Sequence, residues 1–169
     1  MMQVYIPATV SMLQQLVADG SLLPVNGTAF AVTPTLRESY AQGDDDELAD
    51  VALDEAALAS LRLLAAESDA TSEAGPPRRA VLAVEVEDAA FRPDLDDAVV
   101  RLSGPVRLDQ VVAAYVDNAD AEPAVIAAMA AIDSADLGDE DADLLVGDAQ
   151  DHDLAWYANQ ELPFLLDLL

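Results

Sequence analysis

The sequence predicts an α+β domain, a mixed, largely antiparallel sheet of about five strands with helices packed on it. Three observations lead there. Segments of β-branched, period-two character interleave with segments of helical period, without the strict strand–helix–strand repeat of a parallel sheet. Residues 81–102 read as two strands with no helix between them, which favours antiparallel pairing. Leu, Ile, Val and Phe exceed the roughly 20% below which highly charged chains stay disordered, so a core can form despite the charge. The 169 residues fit one domain, 1–169, with a flexible loop at about 68–78, where SDATSEAGPP has loop composition.

The elements follow in order. Gln3 to Ile6 reads as a strand ended by Pro7. Thr9 or Ser11 caps a helix through about Ala18, whose Met12, Leu13, Leu16 and Val17 share one face; Asp19-Gly20 closes it. Asn26-Gly27 is a turn signal, Thr28 to Val32 a second strand, and Thr33-Pro34 an N-cap with proline at the first helical position. A long helix from about Asp46 to Glu67 carries Leu53, Ala57, Leu61 and Leu64 in one stripe, with Leu48, Leu58 and Leu63 outside it. So wide an apolar face fits a helix packed between several core elements, or one that also receives a partner.

The second half opens on the clearest strand, Arg79 to Glu87, in which Leu82, Val84 and Val86 share one face and Glu85 and Glu87 the other. Ala98 to Leu102 and Val111 to Val116 are further strands. Asp120 caps an alanine-rich helix to about Asp133, with Pro123 in its first turn and Val125, Met129 and Ile132 as its stripe. The chain closes on a short amphipathic helix through Leu162, Leu165, Leu166 and Leu169.

Charge and composition exclude more than they include. There are 33 acidic and 7 basic side chains, a formal net charge of −26. All the bases are arginine, and 33 alanines stand against no lysine, which is the residue usage of a GC-rich genome. That bias explains arginine over lysine but not why arginine is scarce. Residues 108–169 hold 15 acids and no base except His152. Such a chain repels nucleic acid and anionic membranes, so direct binding to either is not expected. With no cysteine there is no disulfide, zinc-thiolate site or thiol nucleophile. With no lysine there is no phosphate-binding GxxxxGK[ST] loop and no Schiff base; one histidine rules out HExxH, and no GxSxG is present. No cofactor is expected. The opening MMQVYIPATV lacks the charged and apolar regions of a signal peptide, so a cytoplasmic location is expected.

Two groups remain as candidates. Asp139, Asp141, Asp143, Asp148, Asp151 and Asp153 form an acidic cluster in which Asp148, Asp151 and Asp153 are the alternative set for a hard cation. The EF-hand pattern fails, since a loop begun at Asp133 puts Ala135, Leu137 and Leu144 at ligand positions. The plainer reading is a solvated face, with Asp139, Asp141 and Asp143 as interaction candidates. His152 reads as an exposed or capping residue. Trp156 and Tyr157 are the densest aromatic pair: either Trp156 anchors the C-terminal segment in the core, or the pair is an exposed binding anchor.

The stretches VYIPAT (Val4 to Thr9), PVNGTAFAVTP (Pro24 to Pro34), DDAVVRLSGPV (Asp96 to Val106) and WYANQELPFLL (Trp156 to Leu166) together resemble an actinobacterial family known only as a domain of unknown function. The resemblance runs along nearly the whole chain and is weakest at the 68–78 loop. It implies no activity, cofactor or catalytic residue. The residues themselves lead to an expectation of a non-enzymatic cytoplasmic protein acting through protein–protein contacts with a basic partner. Two alternatives stay open: a nucleic-acid mimic that binds a DNA- or RNA-binding protein, and a carboxylate- or metal-dependent hydrolase.

Overall fold

The computed structural model describes residues 2–40, 42–70 and 75–169. Its centre is β1 (Met2–Ala8) beside β4 (Ala80–Val86), paired without a break from Met2↔Val86 to Ala8↔Ala80. Both strands are buried on both faces along most of their length, as a central pair must be. β3 (Thr28–Phe30), β6 (Val99–Arg101) and β5 (Ala90–Phe91) extend the sheet on one side; β8 (Val111–Val116) and β9 (Ala155–Ala158) extend it on the other. The resulting order is β5-β6-β3-β1-β4-β8-β9, and every pair is antiparallel. A separate two-strand ladder joins β2 (Ser21–Leu22) to β7 (Val106–Arg107). The α+β expectation therefore holds with a larger and wholly antiparallel sheet. The four strands missed, β2, β5, β7 and β9, are two to four residues long, too short to show a period.

Helices cover both faces. On one face α1 (Val10–Asp19) and α6 (Leu162–Leu168) bring Leu13, Leu16, Leu162 and Leu165 onto Val4, Ile6, Leu82, Val84 and Val116. On the other, α2 (Pro34–Ser39) and α3 (Asp45–Ala70) bring Leu36, Leu48, Ala52 and Ala56 onto Tyr5, Phe30, Val81 and Ala83. The far half of α3 meets a helical pair, α4 (Glu122–Asp136) and α5 (Glu140–Gln150), through Leu61, Leu64, Val125, Ala128, Ile132, Val146 and Ala149. The wide apolar face of α3 thus serves two contacts, sheet and helix pair. No described helix is long and apolar enough to cross a membrane.

Local chemistry sets the boundaries. Thr9 and Thr33 accept hydrogen bonds from the N–H groups of Met12 and Leu36, capping α1 and α2. Gly20 ends α1 at φ 78° with its N–H donating to the Leu16 carbonyl. Asn26 and Gly27 both take positive φ in a turn that passes against the Leu102 carbonyl. Three expectations are corrected. Pro7 lies inside β1 rather than ending it; β3 registers with β1 only at Tyr5↔Phe30, so the missing N–H falls outside that pairing. Asp120 does not cap α4: a short 3₁₀ turn over Ala119–Ala121 intervenes, and the residue at the helix start, Ala121, offers no side-chain acceptor. The 68–78 loop begins later, because α3 runs to Ala70; its residues 71–74 lie outside the described residues.

One contact ties α3 to the central strands. Ser60 is fully buried; its hydroxyl donates to the Ala8 carbonyl at 2.6 Å and accepts from the Ala80 N–H at 2.9 Å. It stands where the β1–β4 ladder ends, satisfying two backbone groups that would otherwise lie unpaired in the core.

Candidate functional site

The site is built where β4 begins and α5 ends. Arg79 precedes β4, and Asp117 follows β8; both are fully buried, with exposures of 1% and 0%. Asp117 accepts from the Arg79 backbone N–H and Nε, each at 2.8 Å to one oxygen, and from Nη2 at 2.8 Å to the other. This bidentate geometry is what lets a charge pair persist away from water. The guanidinium has donors left over. Nη1 donates to Gln150 Oε1 and Nη2 to the His152 carbonyl, both at 2.9 Å. Gln150 in turn donates to the Asp54 carbonyl at 3.1 Å. The end of α5 and the segment 150–153 are thereby fastened beside α3.

Between them lies a cleft of about 300 Å³ lined by Asp50, Leu53, Asp54, Ala57, Arg79, Gln150, His152, Asp153 and Leu154. Three carboxylates face it, and its one arginine is already neutralised by Asp117. Asp54 shows the consequence. Partial desolvation raises its pKa, repulsion from Asp50 and Asp153 raises it further, and Arg79 pulls the other way. On the opposite flank of α3 a second cleft, of about 360 Å³, is lined by Leu36, Ser39, Tyr40, Val51, Glu55, Asp96, Asp97 and Ala98. Glu55 is raised by burial and by Asp96, against a smaller pull from Arg62, with Asp54 adding repulsion. The carboxylates of the two clefts therefore sense one another across the helix.

A larger cleft, about 480 Å³, opens elsewhere between Glu85–Asp88 and residues 102–112. Its charged side chains are all exposed, and its arginine, Arg107, pairs with Asp109 at 3.0 Å. Glu85, Glu87, Asp88 and Asp109 crowd it, exposed as Asp50, Asp54 and Asp153 also are. The clefts beside α3 are the better candidate site because burial raises Asp54 and Glu55, and the buried Arg79 of the Arg79–Asp117 pair stands in the wall of one of them.

The sheet adds aromatic surface next to the first cleft. α3 packs on β3, β1 and β4, and Ala113 and Tyr115 of β8 join the cluster beneath it. Tyr5 and Tyr115 meet edge to face at 6.5 Å over the small Ala83 and Ala113. Burial raises both hydroxyls, and Asp50 adds repulsion at Tyr115, which sets that carboxylate near the ring. Trp156 is directly opposite Tyr115 across the β8–β9 pair, so it shares this face, and it is 57% exposed.

A family model matches residues 2–166, essentially the whole chain described above. The chain belongs to DUF6912, a family of unknown function. No curated protein and no solved structure matches it.

For this DUF6912 chain the structure separates the candidates that the sequence grouped. Asp139 caps α5 by accepting from the Ala142 N–H at 3.0 Å, and Asp141 and Asp143 lie in the first turn of that helix, where acids favour the helix dipole. Asp148 is exposed on α5, and Asp151 follows the helix with its N–H on the Gly147 carbonyl. Of the cluster only Asp153 reaches the cleft, beside His152. Among the described residues no three His, Asp or Glu side chains are grouped as a metal would need. Tyr157, not Trp156, packs against the core; Trp156 stays outside. Asp50, Asp54 and Arg79 escaped the sequence reading. The signal for the first two was present, since Asp46, Asp50 and Asp54 recur every four residues along one helical face.

Proposed function

We propose that this protein acts by binding a basic protein partner, whose lysine or arginine side chains enter the clefts flanking α3. The observation that carries the reading is Asp50, Asp54 and Asp153 around one cleft whose arginine is held by Asp117. Three carboxylates in one cleft repel each other, and an entering cation converts that repulsion into attraction. The global charge acts in the same direction, steering a basic partner at low ionic strength and less so at high. The reading places this encounter in the cytoplasm, and the GC-rich residue usage supports an actinobacterial source for the family.

Mimicry of nucleic acid draws support from the Asp46, Asp50, Asp54 row. It is the weaker reading, because exposed acids also crowd the distant cleft at Glu85, Glu87, Asp88 and Asp109 rather than forming one strip. A carboxylate- or metal-dependent hydrolase would use Asp54, raised as a proton donor beside Asp50 and Asp153, but among the described residues no three acids are grouped as a metal would need.

The test uses the whole protein as bait, wild type beside Asp50→Asn/Asp54→Asn/Asp153→Asn, at low and high salt. A basic protein retained by the wild type, and lost both in high salt and with the triple variant, is the expected result. An identical set of proteins on both baits at both salts would refute the reading.

A further inference from the structure

The sheet has two edges, and they are not alike. β5 is two residues long and is followed by the ion-paired Arg92 and Asp94 around Pro93, devices that keep an edge from pairing. β9 carries none of these. Ala155 to Ala158 run in unbroken register with β8, from Val116↔Ala155 to Ala113↔Ala158, and contain no proline, charge or bulge. The Ala158 N–H donates to the Glu161 carboxylate at 3.2 Å, so it turns away from β8. By the alternation of an antiparallel strand the backbone N–H and C=O of Trp156 turn the same way, toward solvent. Their side chain is the exposed indole on the face of the acidic cleft, and Leu154, two residues earlier, is part of that cleft's wall.

We infer that β9 is the docking edge for the partner, which adds a basic, extended segment to the sheet as its next strand. The inference rests on the proposed binding of a basic protein and names the form in which that protein is bound. Backbone pairing along β9 supplies affinity, and alternate side chains supply specificity. A residue opposite Trp156 on the added strand lies over the indole, and a cation there gains from the ring face. Residues two apart fall on the same side of the added strand, so a second cation on that face points toward Asp50, Asp54 and Asp153. The occupant is therefore a segment with lysine or arginine at alternate positions. Charge selects it over a second copy of this chain: Asp151 and Asp153 precede β9 and Glu161 follows it, and two chains of −26 would set these acids against each other.

Trp156 is the chain's single tryptophan, so its fluorescence reports on β9 directly. The probe is a short peptide of alternating lysine and threonine, titrated into the intact protein at low salt, beside the same peptide with every amide N-methylated. The two carry equal charge, and the second cannot donate to a strand. The expected result is a shift in Trp156 emission with the parent peptide, binding about tenfold weaker for the methylated one, and slowed exchange of the Trp156 amide only with the parent. Equal binding of both peptides, abolished by Asp50→Asn/Asp54→Asn, overturns strand addition and leaves the acidic-cleft reading standing. Binding of neither overturns both. A dimer that protects the Trp156 amide without peptide identifies a second copy as the occupant and overturns the inference.

Discussion

Replacing Asp117 by asparagine keeps its shape and removes its charge, which isolates what the buried pair does. Arg79 is 1% exposed and cannot deprotonate, so in Asp117→Asn a full positive charge stays in the interior with an amide in place of its carboxylate. Three bonds of 2.8 Å to that carboxylate lose their charge. Breaking one side of such a pair costs about 3–5 kcal/mol, against a total stability of about 5–15 kcal/mol. At about 2–4 °C per kcal/mol for a chain of this size, the melting temperature falls by about 6–20 °C. The pair as a whole contributes much less, because its attraction offsets the desolvation of both ions; Arg79→Met/Asp117→Leu should recover most of the loss. Urea unfolding of the wild type, Arg79→Met, Asp117→Leu and the double completes the cycle, with Asp117→Asn beside it. Hydrogen exchange should also quicken at 150–154 in the single variants, since Arg79 holds Gln150 and the His152 carbonyl. An Asp117→Asn protein within about 1 kcal/mol of wild type would refute the reasoning.

Three further outcomes follow from other parts of the molecule. Ser60→Ala leaves the Ala8 carbonyl and the Ala80 N–H unsatisfied in the core; at about 1–3 kcal/mol each, denaturant unfolding should show a loss of about 2–6 kcal/mol, whereas Ser60→Thr, which keeps the hydroxyl, tests the oxygen apart from the volume. Gly27→Ala puts a Cβ 2.7 Å from the Leu102 carbonyl oxygen at φ 70°, so it should cost at least about 1 kcal/mol, and an unchanged melting temperature would contradict that geometry. Asp54 and Glu55 have raised pKa values, so the folded chain takes up their protons before the unfolded chain does, and stability rises as pH falls from neutral toward the ordinary carboxylate range. Asp45, Asp94 and Asp136 are held down by Arg37, Arg92 and Arg62; their stabilisation is present above the unfolded pKa and is lost as pH drops through the lowered folded values. Melting temperature should therefore pass through a maximum on the acid side of neutrality, and at neutral pH it should rise from low to moderate salt; a steady fall from pH 7 downward would count against the carboxylate repulsion.

What could be read from sequence was local chemistry. β8 occupies Val111–Val116 as expected, because an apolar run of valine, alanine and tyrosine ended by Asp117 needs no context. The Thr9 and Thr33 caps and the Gly20 stop were legible for the same reason. α5 stands where the density of charge reads as a solvated face, although Asp139, the acids after it and Ala142, Val146 and Ala149 spell a capped amphipathic helix. β9 could not be found from four residues flanked by alanine. The site was hidden for a different reason. Asp153 reaches Asp50 and Asp54 only because Arg79 bridges Asp117, Gln150 and His152, partners 38 to 73 residues away in the chain. Sequence spacing carries no record of such a bridge.

Two structural causes account for part of the excess of acid. Among the described residues six arginines each hold an acid, at Asp45, Asp136, Glu122, Asp117, Asp94 and Asp109. Helix starts use others: Asp45, Asp46 and Glu47 in the first turn of α3, and Asp139, Glu140, Asp141 and Asp143 around the start of α5. Neither cause reaches Asp50, Asp54, Glu55, Asp96 and Asp153 beside α3, nor scattered exposed acids such as Glu85, Glu87, Asp88 and Asp148. Asp50 and Asp54 stand four apart in the middle of a helix, where like charges weaken it by about 0.2–0.5 kcal/mol, and Asp153 is brought in from 99 residues beyond Asp54 to worsen the repulsion. A fold that needed only solubility could place these acids apart. Local cost gathered in the two clefts beside α3, next to an open sheet edge and its exposed tryptophan, is what the proposed partner would relieve.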